Sequence, residues 1–491
     1  PILIPRGTPQ ANRDPPAFPR RRASPRATRA TTPDPLTALS FARDRPNRRA
    51  RALLVEGKSN NKQKQQKDRT PTAAPSTMAP THSIAFCNNR GGVGKTFMAF
   101  QTACETARAR PNKKVLVLDF SLYSDITALL LGGSAREGFG APMKGLQVTV
   151  ENTTEDTRAE GLIRDLEHAM DTDEHAAAAE KKGGSIFGAF FAKKKDASTA
   201  TVDLRNYLIR PADHNAAIPG NLYLVPSAGS VSWTDTQGTA DPAGHQPLWT
   251  RKGDEWWPAA QRLRAAVASL PADFEAVMVD TDHLAACVLT KMALATCDSV
   301  VVPLSFDDGD FNRLFQDVTG NSLFTDVMIP MHAKRQLRAR VAKCVFTKVS
   351  SNKNEETETQ GGIHSPFRPS NTVMAQMDAM AQQVWSACMH DDRYRALFKD
   401  VDSIAPGADG NVVQAFRSRY FTAMKMAPDL AANISKMNGL PICQMTSQTY
   451  VAPSGLEGQS GKAVLDGLKA EIQKLVNAFT SDEYNLPLSA S

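Results

Sequence analysis

Arg90, Gly91, Gly92, Val93, Gly94, Lys95 and Thr96 follow one another in an order suited to holding a chain of phosphates. Glycines let the backbone come close to phosphate oxygens, because they carry no Cβ and tolerate conformations other residues avoid. The N–H groups of such a loop, and of the helix start behind it, point at a bound anion. Lys95 would reach the terminal phosphates, and the Thr96 hydroxyl would ligate Mg2+. The common phosphate loop, G-x-x-x-x-G-K-[ST], needs glycine at position 89, where this chain has Asn89, so the loop is a variant.

Its neighbours have the right shape to position it. SIAFCN (83–88) is an apolar run that predicts a buried strand, and FMAFQTACETARA (97–109) has helical spacing. Further strands are predicted at KKVLVLD (113–119), NLYLVPS (221–227), FEAVMVD (274–280), DSVVVPLS (298–305), RVAKCVFTK (340–348) and LPICQM (440–445). WWPAAQRLRAAVASL (256–270) and CVLTKMALATC (287–297) predict helices between them. Short apolar runs alternating with helices predict an α/β fold: a doubly wound, mostly parallel sheet covered on both faces. Asp119 and Asp280 close two of these strands, where carboxylates converge on ligands in such sheets.

Quoted together, NNRGGVGKT (88–96), KKVLVLDFSLYSDITALLLG (113–132) and FEAVMVDTDHLAACVLTKMALATCDSVVVPLSFDDGDFNRL (274–314) resemble the ParA/MinD family, that is, the CobQ/CobB/MinD/ParA nucleotide-binding domains. The first resembles that family's deviant Walker A loop, K-G-G-x-G-K-[ST]. The others resemble its first switch and its Walker B strand with second switch. LPICQMTSQTYVAPSGLEGQSG (440–461) loosely resembles a late segment of the family. The resemblance covers about 83–135, 220–348 and 438–480. It implies a P-loop NTPase fold, Mg-ATP, and a homodimer with ATP between the subunits. Carried over, Arg90 to Thr96 contact phosphates, Asp280 is the Walker B carboxylate, and Thr96, Asp119 and Asp280 serve Mg2+. Arg90, Lys95 and Asp119 are then the candidate catalytic residues.

The chain departs from that pattern twice. Arg90 stands where the family has a lysine that reaches across the dimer; arginine keeps the charge but is bulkier, with a planar fork. Ser121 stands where the family has a second aspartate that supports hydrolysis, and a serine cannot act as that carboxylate. Asp125 and Asp282 could substitute, but both are expected to be solvated loop carboxylates. ATP binding with slow hydrolysis is therefore expected, and Ser121→Asp should speed turnover. Three activities fit: a partitioning or positioning ATPase for DNA or another cargo, a non-hydrolysing ATP-binding adaptor, and a MinD-like membrane-surface ATPase. The cargo or adaptor protein is not identified by the sequence.

The chain's 491 residues leave room for three average domains, or for one large α/β domain with insertions. Residues 1–80 hold 17 basic and 5 acidic residues and 13 of the 31 prolines, with no lasting apolar period. They are expected to be a disordered tail, with an organelle transit peptide within 1–77 or an arm for non-specific DNA as functional readings. Residues 81–491 form the nucleotide-binding domain, with a flexible insertion at 151–200 and a loop plus helical insertion at 350–435. Methionines in the second insertion are expected as core filler.

The seven cysteines form no C-x-x-C pair, which fits a reducing intracellular compartment, the cytoplasm or an organelle interior. No apolar run reaches the length of a membrane span. SIFGAFFAKKK (185–195) is expected to pack on the body rather than on a membrane. The stripe Val464, Leu465, Leu468, Ile472, Leu475 and Phe479 predicts an amphipathic helix against the sheet, not a basic membrane anchor. H-E-x-x-H and G-x-S-x-G do not occur.

Overall fold

The computed structural model describes residues 82–138, 140–182, 202–229, 248, 253–283, 285–305, 307–349, 369–406, 410–425, 427, 429–451 and 457–480, all within the unit Pro75–Ser491. The basic segment 1–80, the run 185–195 and the polar loop 350–368 lie outside the described residues.

Seven strands form one sheet: β1 (His82–Phe86), β2 (Lys114–Phe120), β3 (Leu222–Val225), β4 (Phe274–Thr281), β5 (Ser299–Leu304), β6 (Arg340–Val349) and β7 (Phe421–Lys425). Their order is β3-β2-β4-β1-β5-β6-β7, and every neighbouring pair is parallel. The side-chain period of two divides each strand between two cores. Ala85, Leu116, Leu118, Val277, Val279, Val300 and Phe346 face one core, and Ile84, Phe86, Val115, Val117, Met278, Val301 and Val345 face the other. Each fully buried Leu or Val contributes roughly 1.5–3 kcal/mol of hydrophobic stabilisation, so both faces demand helices. The helix Lys95–Ala109, α1, covers the second face through Met98, Phe100 and Ala103. The helices Trp257–Ala268 and Val288–Thr296 cover the first. This is the α/β, doubly wound parallel sheet that the alternating pattern predicted.

Four local expectations change. LPICQM is not a strand. Pro441 lacks an N–H for a ladder, Ile442–Gln444 is a short 3-10 turn, and the Ile442 N–H donates to buried Gln101 at 2.8 Å. The run is apolar because Ile442 and Met445 pack on Leu465, Leu468 and Ile472 of the helix Lys462–Thr480. The seventh strand is instead Phe421–Lys425, inside the segment read as helical. It follows the helix Val412–Tyr420 without a loop, so no turn signal separated the two.

Part of the segment 151–200 is built into the body. The helix Ala159–Lys182 buries Ala159, Leu162, Ile163, Leu166 and Met170 in the first core. Their spacing is helical, but polar neighbours and the AAAAEKKGG that follows hid it. In the second insertion the helix Asn371–His390 buries Met377 and Met380 as core filler. Val464 falls off the predicted C-terminal stripe and is 38% exposed.

Candidate nucleotide-binding site

The loop between β1 and α1 opens on a cavity of about 350 Å3. Gly91, Gly92, Gly94, Lys95 and Thr96 line one side, and Ser121, Asp125, Asp282, His283 and Lys436 line others. Gly94 ends the loop at φ 90°, a conformation that strains any residue with a Cβ. No side chain caps the N-terminus of α1, so its first N–H groups remain directed at the loop. Val93 is the buried pin: its carbonyl accepts from Thr347 Oγ1 at 2.9 Å, and the same hydroxyl is 3.1 Å from Leu304 O. Ends of β5 and β6 thus hold the loop from behind.

Lys95 is buried and donates from Nζ to the Arg90 carbonyl at 2.7 Å. Burial lowers its pKa, while the charges of Asp280 and Asp282 oppose that shift. The ammonium therefore lies inside the loop curve, surrounded by carbonyl and carboxylate oxygens. Asn89, in place of glycine, donates from Nδ2 to Arg313 O at 3.0 Å and ties the loop to the segment beyond β5.

Arg90 is not free to project. Its Nη1 lies 3.0 Å from Oδ1 of Asp310, a carboxylate only 3% exposed on the short helix Asp308–Asn312. Nothing in the local sequence announced this partner, 220 residues along the chain.

Asp119 and Asp280 lie side by side, in register on β2 and β4, and both are fully buried. Asp119 Oδ1 accepts from Ser121 N (3.0 Å) and Ser121 Oγ (2.6 Å). Its Oδ2 accepts from Thr127 N (3.1 Å) and Thr127 Oγ1 (2.6 Å). With four donors in place, the carboxylate braces the loop 121–127. Burial pushes the Asp119 pKa up to about 6, although the four hydrogen bonds pull it down. Asp280 is the opposite case: neither oxygen has a hydrogen-bond partner at normal geometry among the described residues. Burial and the neighbouring Asp119 push its pKa well up, while the nearby Thr96 hydroxyl and Lys95 favour its charged form.

Ser121 is consumed as a double donor to Asp119, which explains a serine at that position. The brace runs on through Thr127 Oγ1, which accepts from Ser227 N at 3.0 Å. Ser227 Oγ in turn donates to buried Glu160 at 2.7 Å. Glu160 belongs to the helix Ala159–Lys182, so the segment taken as an insertion is hydrogen-bonded to the switch-like loop.

Of the two substitute carboxylates, Asp125 is exposed, as expected, but Asp282 is not. Asp282 Oδ2 accepts from Leu122 N at 3.1 Å, and its Oδ1 accepts from the His283 N–H with the ring Nδ1 of His283 beside it. Sequence reasoning passed over His283 and Lys436. His283 lay inside a quoted segment without being singled out, and Lys436 lay just beyond an insertion. Among the described residues no group of three or more His, Cys, Asp and Glu could hold a metal. A cation here would need oxygens from its ligand, together with Thr96 and Asp280. The orphaned, buried carboxylate beside a hydroxyl fits Mg2+ carried by a polyphosphate. No helix among the described residues is long and apolar enough to cross a membrane.

No protein-family model and no curated protein matches the sequence. Several solved structures are similar. An ATP complex of a singly substituted McdA from Cyanothece is 11% identical, over 80% of this chain and 97% of that one, with a TM-score of 0.41. A ParA family ATPase from Chlorobium tepidum is 10% identical, over 81% and 98%, with a TM-score of 0.35. A plasmid partition protein from Borrelia burgdorferi is 16% identical, over 57% and 84%, with a TM-score of 0.33. At such identities no residue role passes from these proteins to this chain, and the site must be argued from its own geometry.

Proposed function

We propose that this chain is a Mg-ATP-binding, ParA/MinD-like ATPase that dimerises around ATP, hydrolyses it slowly, and partitions or positions DNA or another cargo. The observation that carries the nucleotide reading is the pairing of a braced, glycine-rich loop with the unpartnered Asp280. A buried carboxylate without donors is costly unless a charge arrives to meet it. Mg-ATP brings both the cation and an anion for the loop N–H groups.

In this reading Lys95 leaves the Arg90 carbonyl for the terminal phosphates. Thr96 and Asp280 hold Mg2+, which neutralises phosphate charge when bound. Arg90 exchanges Asp310 for phosphate oxygens when the dimer closes, and arginine's fork suits that contact. The non-hydrolysing adaptor remains the second reading, favoured by one observation: Ser121 and Asp119 occupy each other and leave β2 without a carboxylate for water.

Calorimetry with ATP, with and without Mg2+, tests the site. Lys95→Ala is expected to abolish binding, and unchanged affinity in that variant would sink the assignment of the loop.

A further inference from the structure

We propose that His283, held by Asp282, positions and deprotonates the water that attacks the terminal phosphate. This inference rests on the Mg-ATP reading of the same site and supplies the group that Ser121 cannot. Phosphoryl transfer needs a water held in line and a group to receive its proton. The strand carboxylates are already committed: Asp119 is saturated by Ser121 and Thr127, and Asp280 stands beside Thr96. Asp125 lines the cavity but is exposed, and no hydrogen bond among the described residues fixes its carboxylate.

His283 is half-exposed but has a fixed neighbour. It lines the same cavity as Lys95 and Thr96. Its Nδ1 lies against Oδ1 of Asp282, whose side chain is 3% exposed, and the same oxygen accepts from the His283 backbone N–H. Asp282 is itself fixed, since its other oxygen accepts from Leu122 N at 3.1 Å. A carboxylate on Nδ1 selects the ring form that carries its proton there and leaves Nε2 as an acceptor. Imidazole held this way by a carboxylate is an arrangement that recurs where a proton must be taken from an oxygen nucleophile. Asp282 is then a positioning residue acting through His283, and its bond to Leu122 joins the histidine to the loop braced by Asp119.

The step balances within the site. His283 Nε2 accepts a proton from water as the water oxygen bonds to the terminal phosphorus. The bond from that phosphorus to the bridging oxygen breaks, and its electron pair stays on ADP. Inorganic phosphate leaves, and the imidazolium returns its proton to solvent.

The test compares ATP turnover and ATP affinity in the full chain and in His283→Ala and His283→Gln. The expected result is a fall in kcat of roughly 10²–10⁴-fold in His283→Ala, with ATP affinity within about twofold of wild type. His283→Gln, which keeps a polar side chain should the alanine variant fold poorly, is expected to recover little of the rate. Added imidazole is expected to restore part of the turnover of His283→Ala, which a merely structural role would not allow. Wild-type turnover in a folded His283 variant that binds ATP would overturn the inference. So would a rate loss confined to Asp125→Asn, or a wild-type chain that binds ATP and never turns it over. Absence of ATP binding by the wild type would overturn the nucleotide reading itself, and this inference with it.

Discussion

The ends of β2 and β4 carry the same residue, in register, at the same depth, in opposite states. Asp119 accepts four hydrogen bonds; Asp280 beside it has no partner at normal geometry among the described residues. Both pay desolvation, and only Asp119 regains part of it through donors of its own chain. A saturated carboxylate is part of the scaffold, whereas an unsaturated one is a place where something is missing. Strand-end position alone does not distinguish a brace from a ligand. The donors contributed by the following loop do, and here they come from Ser121 and Thr127.

That contrast can be broken by mutation, and the two aspartates should respond with opposite signs. Removing the brace has the largest expected effect. Asp119→Ala leaves the N–H and O–H donors of Ser121 and Thr127 without their acceptor and should lower stability by about 3 kcal/mol at pH 5, read from the denaturant midpoint. The pH dependence sharpens the point. The Asp119 pKa rises on folding from 3.8 to about 6, so the native state keeps its proton longer than the unfolded chain. Stability should therefore fall as pH rises from about 4 through about 6, by on the order of 3 kcal/mol in all. Asp119→Ala should remove that share of the slope.

Ser121→Asp comes next. The sequence suggested that a carboxylate here would speed hydrolysis. The structure changes that expectation, because the new side chain would replace a donor to Asp119 with a second negative charge. A loss of about 2 kcal/mol is expected, without faster turnover. Brisker turnover in Ser121→Asp would show that the loop can rearrange to give up the brace.

Asp280→Asn is expected to raise the stability of the nucleotide-free chain by about 1 kcal/mol at neutral pH, since it removes a buried carboxyl whose ionisation burial and Asp119 disfavour. The same change should weaken ATP binding in the presence of Mg2+ and leave Mg-free binding nearly unaltered. A variant that loses stability instead would mean that Asp280 is partnered in solution.

The smallest effect concerns Arg90. Its pair with Asp310 is 40% exposed on the arginine side, which limits its worth to about 0–1 kcal/mol. Asp310→Asn should leave stability nearly unchanged yet raise the fraction of ATP-dependent dimer in light scattering, because Arg90 is released. A dimer fraction that does not move would confine Arg90 to its own subunit.

Much of this was legible from residue order. Short apolar runs marked β1 to β6, because strands buried on both faces leave little room for polar residues. The loop from Arg90 to Thr96 was legible because close backbone approach needs glycine and phosphate needs a cation. The same logic failed for LPICQM, where burial is real but Pro441 prevents a ladder, and for Phe421–Lys425, where a strand follows a helix with no punctuation. Asp282 was misjudged because a carboxylate in a polar stretch looks solvated until its donors, Leu122 and His283, are seen.

The sequence by itself determined the alternating strand–helix plan, the place of the phosphate loop, and the presence of two strand-closing aspartates. These follow from local pattern: side-chain periodicity, glycine's backbone freedom and the reach of one lysine. Only the tertiary structure decided which aspartate is spent and which remains open, that Arg90 rests on Asp310, and that Glu160 joins the brace through Ser227. Each of those outcomes depends on where donors and acceptors far apart in the chain meet in a buried space. There, a hydrogen bond present or absent changes a carboxylate's free energy by more than any local preference can.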